Sequence, residues 1–365
     1  MGPRQSGKTT LVRAAFPRAD YVSFEDPDVR RSVEQDPRGF LASFRKMLIV
    51  DEVQRVPEVF SYVQAIVDER GLNGHFIFTG SQNYLLHEKI TQSLAGRVAI
   101  LKLLPLSFSE VKQAGVKSPQ MEAAIQKGFY PALWKGRANL GLYYSSYVNT
   151  YLERDVRQIQ NIGNLTAFQN FVRLCAGRAG QLLNLTALGN DCGISHNTAK
   201  AWLSILESSF IIHLLPPYYE NYNKRVVKSP KLYFYDTGLL CHLLGIENVR
   251  QMAHHYMRGA LTENFVFSEL AKASFNKLRF ADLYFWRDKT GNEVDFLLTA
   301  AGTKKLVEVK AGKTVGSDFF KGLDYFRKVY IGKDRLITFL AYGGPTEYTH
   351  HQSKVVRLEN VSGIV

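Results

Sequence analysis

Cysteine is nearly absent from this sequence. Cys175, Cys192 and Cys241 are the three among 365 residues, and no two of them lie at metal-ligand spacing. That excludes a cysteine-based metal site and argues for ordinary buried thiols in a reducing compartment. Long hydrophobic runs are missing too. No apolar stretch approaches the roughly 20 residues needed to span a bilayer. No charged-then-apolar leader opens the chain, so the expectation is a cytoplasmic protein with no membrane partner. His254-His255 and His350-His351 are sequence neighbours whose side chains diverge, which reads as surface residues and not as ligand pairs. What the chain does have is 45% hydrophobic and 12% aromatic residues, enough for two or three packed domains.

Negative charge is also in the minority, with 33 acidic against 46 basic residues and a net charge of +13. The surplus is uneven. Residues 1–110 hold 14 basic and 13 acidic side chains, residues 111–216 hold 10 and 5, and residues 217–365 hold 22 and 15. The first stretch is nearly neutral, and the later ones could engage a polyanion.

The neutral stretch opens on Gly2-Pro3-Arg4-Gln5-Ser6-Gly7-Lys8-Thr9, followed by Thr10, a complete G-x-x-x-x-G-K-[ST] pattern. Gly2 and Gly7 let the backbone curl so that successive N–H groups face a triphosphate. Lys8 can reach the β- and γ-phosphates, the Thr9 hydroxyl can ligate Mg²⁺, and a helix from Lys8 aims its positive end at the anion. The second half of such a site is Met47-Leu48-Ile49-Val50-Asp51-Glu52, a buried strand with two acids at its carboxyl end. Asp51 would hold Mg²⁺ and Glu52 would polarise the attacking water. His75–Phe78 reads as a third strand, after which Thr79, Ser81 and Gln82 are candidates to sense the γ-phosphate or simple turn residues.

A phosphate loop normally follows a buried strand, and here only Met1 precedes Gly2. The expectation is a true start about ten residues upstream, or a sheet lacking its first strand. Strands are also expected at Tyr21–Phe24 and at Leu101–Leu106, the latter closed by Pro105. Arg97 suits either an arginine finger acting on a neighbouring copy, and so a homo-oligomer, or a helix-end ion pair.

Residues 111–160 read as helices. Tyr143, Tyr147 and Tyr151 recur every four residues, a spacing that favours packing. Around Asp191-Cys192-Gly193-Ile194-Ser195 the pattern is helix, short turn and Ser-capped helix, a helix-turn-helix signature. Ile211–Leu215 and Lys231–Tyr235 would be the strands of a wing. Its tip, Asn223-Lys224-Arg225-Val226-Val227-Lys228, is basic enough for a phosphate backbone, although such modules also serve only to pack against protein.

Farther on, Glu263 lies in a helical stretch, Asp295 in Glu293–Leu298 and Glu308 and Lys310 in Leu306–Lys310. Gly302 falls between the last two segments, as in a hairpin. On strands, Glu308 and Lys310 share a face. Carboxylates at Glu263, Asp295 and Glu308 with Lys310 beside them can hold Mg²⁺ or Mn²⁺ and act on a phosphodiester. The alternative is a set of cross-strand ion pairs on an exposed sheet face.

The segments GPRQSGKTTL, LIVDEVQRVPEVF, FIFTGSQ, SLAGRV, PLSFSE, GFYPALW and YLERDV resemble a family of prokaryotic AAA+-like ATPases. KLYFYDTGLL, RGALTENFVFSEL, NEVDFLL and LVEVKAG resemble its C-terminal half, a winged helix joined to a fold similar to PD-(D/E)xK nucleases. The resemblance runs end to end. It implies an α/β P-loop domain over 1–110, a helical region over 111–160, a winged helix over 161–245 and a restriction-endonuclease-like α/β domain over 246–365. It further implies ATP and Mg²⁺ at Gly2, Gly7, Lys8, Thr9, Asp51 and Glu52, and a second metal site at Glu263, Asp295, Glu308 and Lys310. The expected activity is ATP-dependent action on nucleic acid, DNA in the first instance. The alternative is an ATP-binding switch whose nuclease-like domain only binds DNA or a protein partner.

Overall fold

The computed structural model describes residues 1–71, 74–80, 94, 96–115, 120–136, 138–152, 164–219, 228–278, 282–300, 302–350 and 352–365. The chain divides into two units, Met1–Leu104 with Ser208–Phe210, and Pro105–Glu207 with Ile211–Val365. Gln82 and Ser81 lie outside the described residues, as do Glu153, Arg154 and Asp155 and the basic segment up to Val227.

The first unit is built on a parallel sheet of β1 (Asp20–Ser23), β2 (Leu48–Asp51) and β3 (Phe76–Phe78), in the order β1-β2-β3. Leu48 pairs with Asp20 on one side and Phe76 on the other. A central parallel strand is covered on both faces, which is why β2 is an unbroken apolar run until Asp51 and is buried throughout. The helices are α1 (Lys8–Ala15), α2 (Pro27–Gln35), α3 (Pro37–Ala42) and α4 (Val59–Arg70). α2 and α3 start alike. Asp26 and Asp36 accept bonds from the Asp28 and Gly39 amides, and Pro27 and Pro37 fill positions whose missing N–H costs nothing there. Phe24, Val33, Leu48, Val50, Phe60 and Val63 form the core.

One expected strand is not formed. Leu101–Leu106 has no strand conformation. The Met1 amine donates to the Leu101 carbonyl at 2.7 Å, and the Leu103 amide donates to the Met1 carbonyl at 2.8 Å. A strand extends only as far as the neighbour that satisfies its backbone groups, and Met1 satisfies two.

In the second unit the expected helical stretch is Phe108–Gln113, Met121–Lys127, Pro131–Trp134 and Leu140–Tyr147, the last running into a π-helical turn at Val148–Leu152. Tyr143 and Tyr147 pack there, their ring centroids 6.4 Å apart, while the Tyr151 side chain lies outside what the structure describes. Tyr144 and Tyr147 are buried, Tyr130 donates to the Tyr147 hydroxyl at 2.8 Å, and Tyr144 donates to Asp236 at 2.8 Å. Three helices come next, Leu165–Ala176, Leu185–Cys192 and His196–Ser208. Gly193, in the left-handed region with φ 68°, ends the second, and the Ser195 hydroxyl accepts from the Thr198 amide at 3.1 Å to cap the third. β4 (Ile212–Leu215) then pairs antiparallel with β5 (Lys231–Phe234).

The helix Arg258–Asn276 leads into a six-stranded sheet of β6 (Asp282–Arg287), β7 (Glu293–Ala300), β8 (Thr303–Lys310), β9 (Arg335–Tyr342), β10 (Tyr348–His350) and β11 (Ser353–Arg357). The order is β10-β11-β9-β8-β7-β6. β6, β7 and β8 are antiparallel neighbours, β8, β9 and β11 run parallel, and β10 is antiparallel to β11. The helix Lys321–Val329 makes the crossover that a parallel β8–β9 pair requires, and it packs on β7 and β8. Arg258–Asn276 packs on β5 and β8. β7 and β8 are consequently buried along most of their length.

Candidate functional site

The first unit brings the phosphate-loop residues and the acids of β2 together. Gly7 sits at φ 92°, a left-handed turn that lets α1 begin at Lys8. At Gly2 any side chain would collide with the Leu103 carbonyl. Lys8 is folded back on its own loop, donating to the carbonyls of Gly2 at 3.0 Å and Pro3 at 2.6 Å. Thr9 donates to Asp51 Oδ2 at 2.8 Å across the gap between α1 and β2. Asp51 also accepts from the Tyr21 hydroxyl at 2.9 Å, from the Thr79 hydroxyl and from the Glu52 amide at 3.1 Å. Burial and the bond to Asp51 push the Tyr21 phenol up to about 12. The Ser6 hydroxyl is buried in the loop with no hydrogen-bond partner among the described residues.

Two residues here hold conformations that cost of order 1–3 kcal/mol in a non-glycine residue. Gln5 has φ 59° and Glu52 φ 53°, both left-handed. Such outliers concentrate at functional sites, and these two lie in the loop and directly after Asp51. Gln54 donates to the Glu52 carboxylate. Thr10 is exposed on α1. Arg97 pairs with Asp68 of α4, Nε to Oδ1 at 2.7 Å, at the surface. The carboxylate with its hydrogen bonds raises the guanidinium above its ordinary value.

The second unit gathers the other predicted set. β7 and β8 carry Asp295 and Glu308 side by side, since Phe296 pairs with Val307 in an antiparallel register. Each is about 9% exposed, so they do not lie on an open sheet face. Asp295 Oδ2 accepts the Val309 amide at 2.8 Å. Lys310 donates to Glu308 Oε1 at 2.7 Å, while Glu308 Oε2 is buried without a hydrogen-bond partner among the described residues. Glu263, on Arg258–Asn276, accepts from the Tyr233 hydroxyl. Burial raises the Asp295 carboxyl well above the ordinary range, and Glu308 and Glu263 raise it further. Glu308 is raised by burial too, against the pull of Lys310.

The feature that sequence reasoning missed is Lys231. Its Nζ lies 3.0 Å from Glu263 Oε1 and 4.0 Å from Asp295 Oδ1, and it is paired with Glu293. Burial alone would lower this ammonium, but Glu263, Asp295 and Glu293 more than reverse that and raise it above the usual lysine value. The available signal was a lysine opening an otherwise apolar strand, Leu232-Tyr233-Phe234, that is buried from end to end. Among the described residues no group of three or more His, Cys, Asp or Glu is placed to hold a metal ion.

The third helix of the Leu165–Ser208 set turns Ala199, Trp202, Leu203 and Leu206 inward. His196, Asn197, Lys200 and Ser204 are exposed. At spacings of three and four they share one polar face. No helix among the described residues is long and apolar enough to cross a membrane.

Residues 1–112 match the family model described as AAA domain. Residues 118–250 and 258–361 match two models described as domains of unknown function, DUF8612 and DUF4143. Uncharacterised proteins of Mycobacterium bovis and Mycobacterium tuberculosis are each 29% identical over 316 residues, covering 86% of this chain and 70% of theirs. An uncharacterised protein of Haemophilus influenzae is 23% identical over 241 residues, 62% of this chain and 58% of its own. A crystal structure of a Vibrio cholerae protein aligns over 95% of this chain and 96% of its own at 12% identity, with a TM-score of 0.23, too low to argue from. The first unit is therefore matched as an AAA-like ATPase domain, and the rest of the chain is matched to domains without an assigned role.

Proposed function

We propose that this protein binds and hydrolyses ATP with Mg²⁺ in its first unit and thereby controls action on nucleic acid by its second. The observation that carries the ATPase reading is the Thr9–Asp51 hydrogen bond at the end of the loop that holds Lys8. Asp51 is held by three hydroxyls and an amide, all of them neutral donors, which suits a carboxylate kept for a metal ion. Thr9 and Asp51 would hold Mg²⁺, which when bound offsets phosphate charge. Lys8 would exchange its loop carbonyls for phosphate oxygens, the loop from Gly2 to Gly7 would present amides, and Glu52 would orient the attacking water. Thr79, bonded to Asp51, and Gln82 are proposed to sense the γ-phosphate. Arg97 is proposed as a finger in trans only if it leaves Asp68. Calorimetry with ATP on the parent and Lys8→Ala tests the site, and equal affinity would remove it.

For the second unit, the basic surplus and the polar helix face at His196, Asn197, Lys200 and Ser204 support a nucleic-acid partner, DNA first. The adjoining Asp295 and Glu308, with one buried carboxylate oxygen unpartnered among the described residues, suit a divalent ion, Mg²⁺ or Mn²⁺. Glu263, which as placed forms no three-residue ion site with them, would have to close on them to complete the set, with Lys310 beside the phosphodiester. A second reading, that this domain binds without cutting, is favoured by Lys231, which already places a positive charge among Glu263, Glu293 and Asp295. Nicking assays on DNA and RNA with Mg²⁺ or Mn²⁺, comparing parent with Asp295→Ala, decide between them. We place the protein in the cytoplasm.

A further inference from the structure

Three carboxylates from two different elements already surround a cation in the second unit. Glu263 comes from the helix Arg258–Asn276, Glu293 and Asp295 from β7, and Lys231 enters from β5 with a side chain 3% exposed. An ammonium taken out of water this completely is strongly unfavourable unless carboxylates meet it, and here Glu263 meets it at 3.0 Å and Asp295 at 4.0 Å, with Glu293 paired as well. Glu308 stands just beyond this group. One of its oxygens takes Lys310 at 2.7 Å, and the other is buried without a hydrogen-bond partner among the described residues. The cluster thus has acceptor capacity left over and a fixed positive charge where its carboxylates converge.

We propose that Lys231 is the resident cation of this cluster, occupying the place of a divalent ion, and that a divalent ion binds Glu263, Asp295 and Glu308 only when the ammonium is withdrawn. This rests on reading those three carboxylates as a cation-binding set. The two occupants exclude one another because both need contact with Glu263 and Asp295, and two positive charges at such range repel strongly in a buried site. Lys231 thereby keeps the domain folded without metal and keeps metal out.

The test is Mn²⁺ binding to the full chain, by calorimetry and by the shift in thermal midpoint, without nucleotide. Lys231→Met keeps most of the length of the side chain and removes its charge. It should bind Mn²⁺ about tenfold or more tighter than the parent. Its midpoint should fall without metal and recover with it, a recovery the parent does not show. Lys231→Met combined with Asp295→Asn should lose both effects. If Lys231→Met does not fold even with Mn²⁺, Lys231→Met with Glu293→Gln, which removes a carboxylate outside the set, gives the same comparison. Equal Mn²⁺ affinity in parent and Lys231 variant, weakened in both by Asp295→Asn, would overturn the role of Lys231 and leave the metal reading standing. No Mn²⁺ binding by any folded variant would remove the metal reading and the proposal together.

Discussion

Asp51 and Asp295 are both buried carboxylates at the heart of a predicted metal site, yet their surroundings are opposite. Asp51 is held by neutral donors, Thr9, Tyr21, Thr79 and the Glu52 amide. Asp295 accepts one amide and lies 4.0 Å from the Lys231 ammonium, with Glu308 and Glu263 close enough to raise its affinity for a proton. Neutral donors fix a carboxylate without cancelling its charge, so a site like that of Asp51 retains its attraction for an external cation. An internal ammonium offsets part of the cluster's charge, and any incoming cation must compete with it.

The largest effect is expected where the ammonium is lost. Lys231→Ala leaves Glu263, Glu293 and Asp295 uncompensated, and removing one partner of a buried pair costs about 3–5 kcal/mol. Denaturant unfolding should show that loss, and a change below about 1 kcal/mol would mean the ammonium compensates little. Next in size is turnover. Glu52→Gln should retain ATP binding and lose roughly 10²-fold in hydrolysis, read in a steady-state phosphate-release assay, because the amide cannot accept a proton from water. Lys8→Ala should weaken ATP by about tenfold or more, about 1.4 kcal/mol, in calorimetry.

The two smallest effects separate the units further. In the folded protein Asp295 and Glu308 keep protons that the unfolded chain has already released. Their share of stability is therefore greatest at and below the ordinary carboxylate range, and it falls as pH rises toward their folded values. Asp295→Asn should flatten that decline in thermal midpoint as pH rises above the ordinary carboxylate range. Finally, Lys200→Ala should weaken DNA binding and reduce the slope of log affinity against log salt by about one, measured by fluorescence anisotropy. An unchanged slope would remove the His196–Ser204 face from the interface.

Much of the first site was legible because its chemistry is local. Gly2 to Thr9 are consecutive, and Asp51 and Glu52 end an apolar strand, so spacing alone selected them. The link of Tyr21 to Asp51 was not legible, since it depends on the register in which β1 pairs with β2, which no periodicity announces. The β7–β8 hairpin was readable from alternation about Gly302, and so was the adjacency of Asp295 and Glu308. The expected strand at Leu101–Leu106 failed for a different reason. Its sequence is apolar enough, but a strand exists only where a partner satisfies its backbone.

Residue order was enough to determine the parallel sheet ending in Asp51, the phosphate loop at the start of α1, the helical stretch before residue 152 and the acids at positions 263, 295 and 308. Those come from residue spacings of two, three or four, which short-range sterics and hydrogen bonding convert directly into local structure. Which charge meets those acids was decided by the fold. Lys231 is 32 positions from Glu263 and 64 from Asp295, and its side chain is fixed by packing β5 against the helix Arg258–Asn276. Electrostatic pairing depends on distance through space, and at such separations along the chain that distance is set by tertiary packing and not by the sequence pattern.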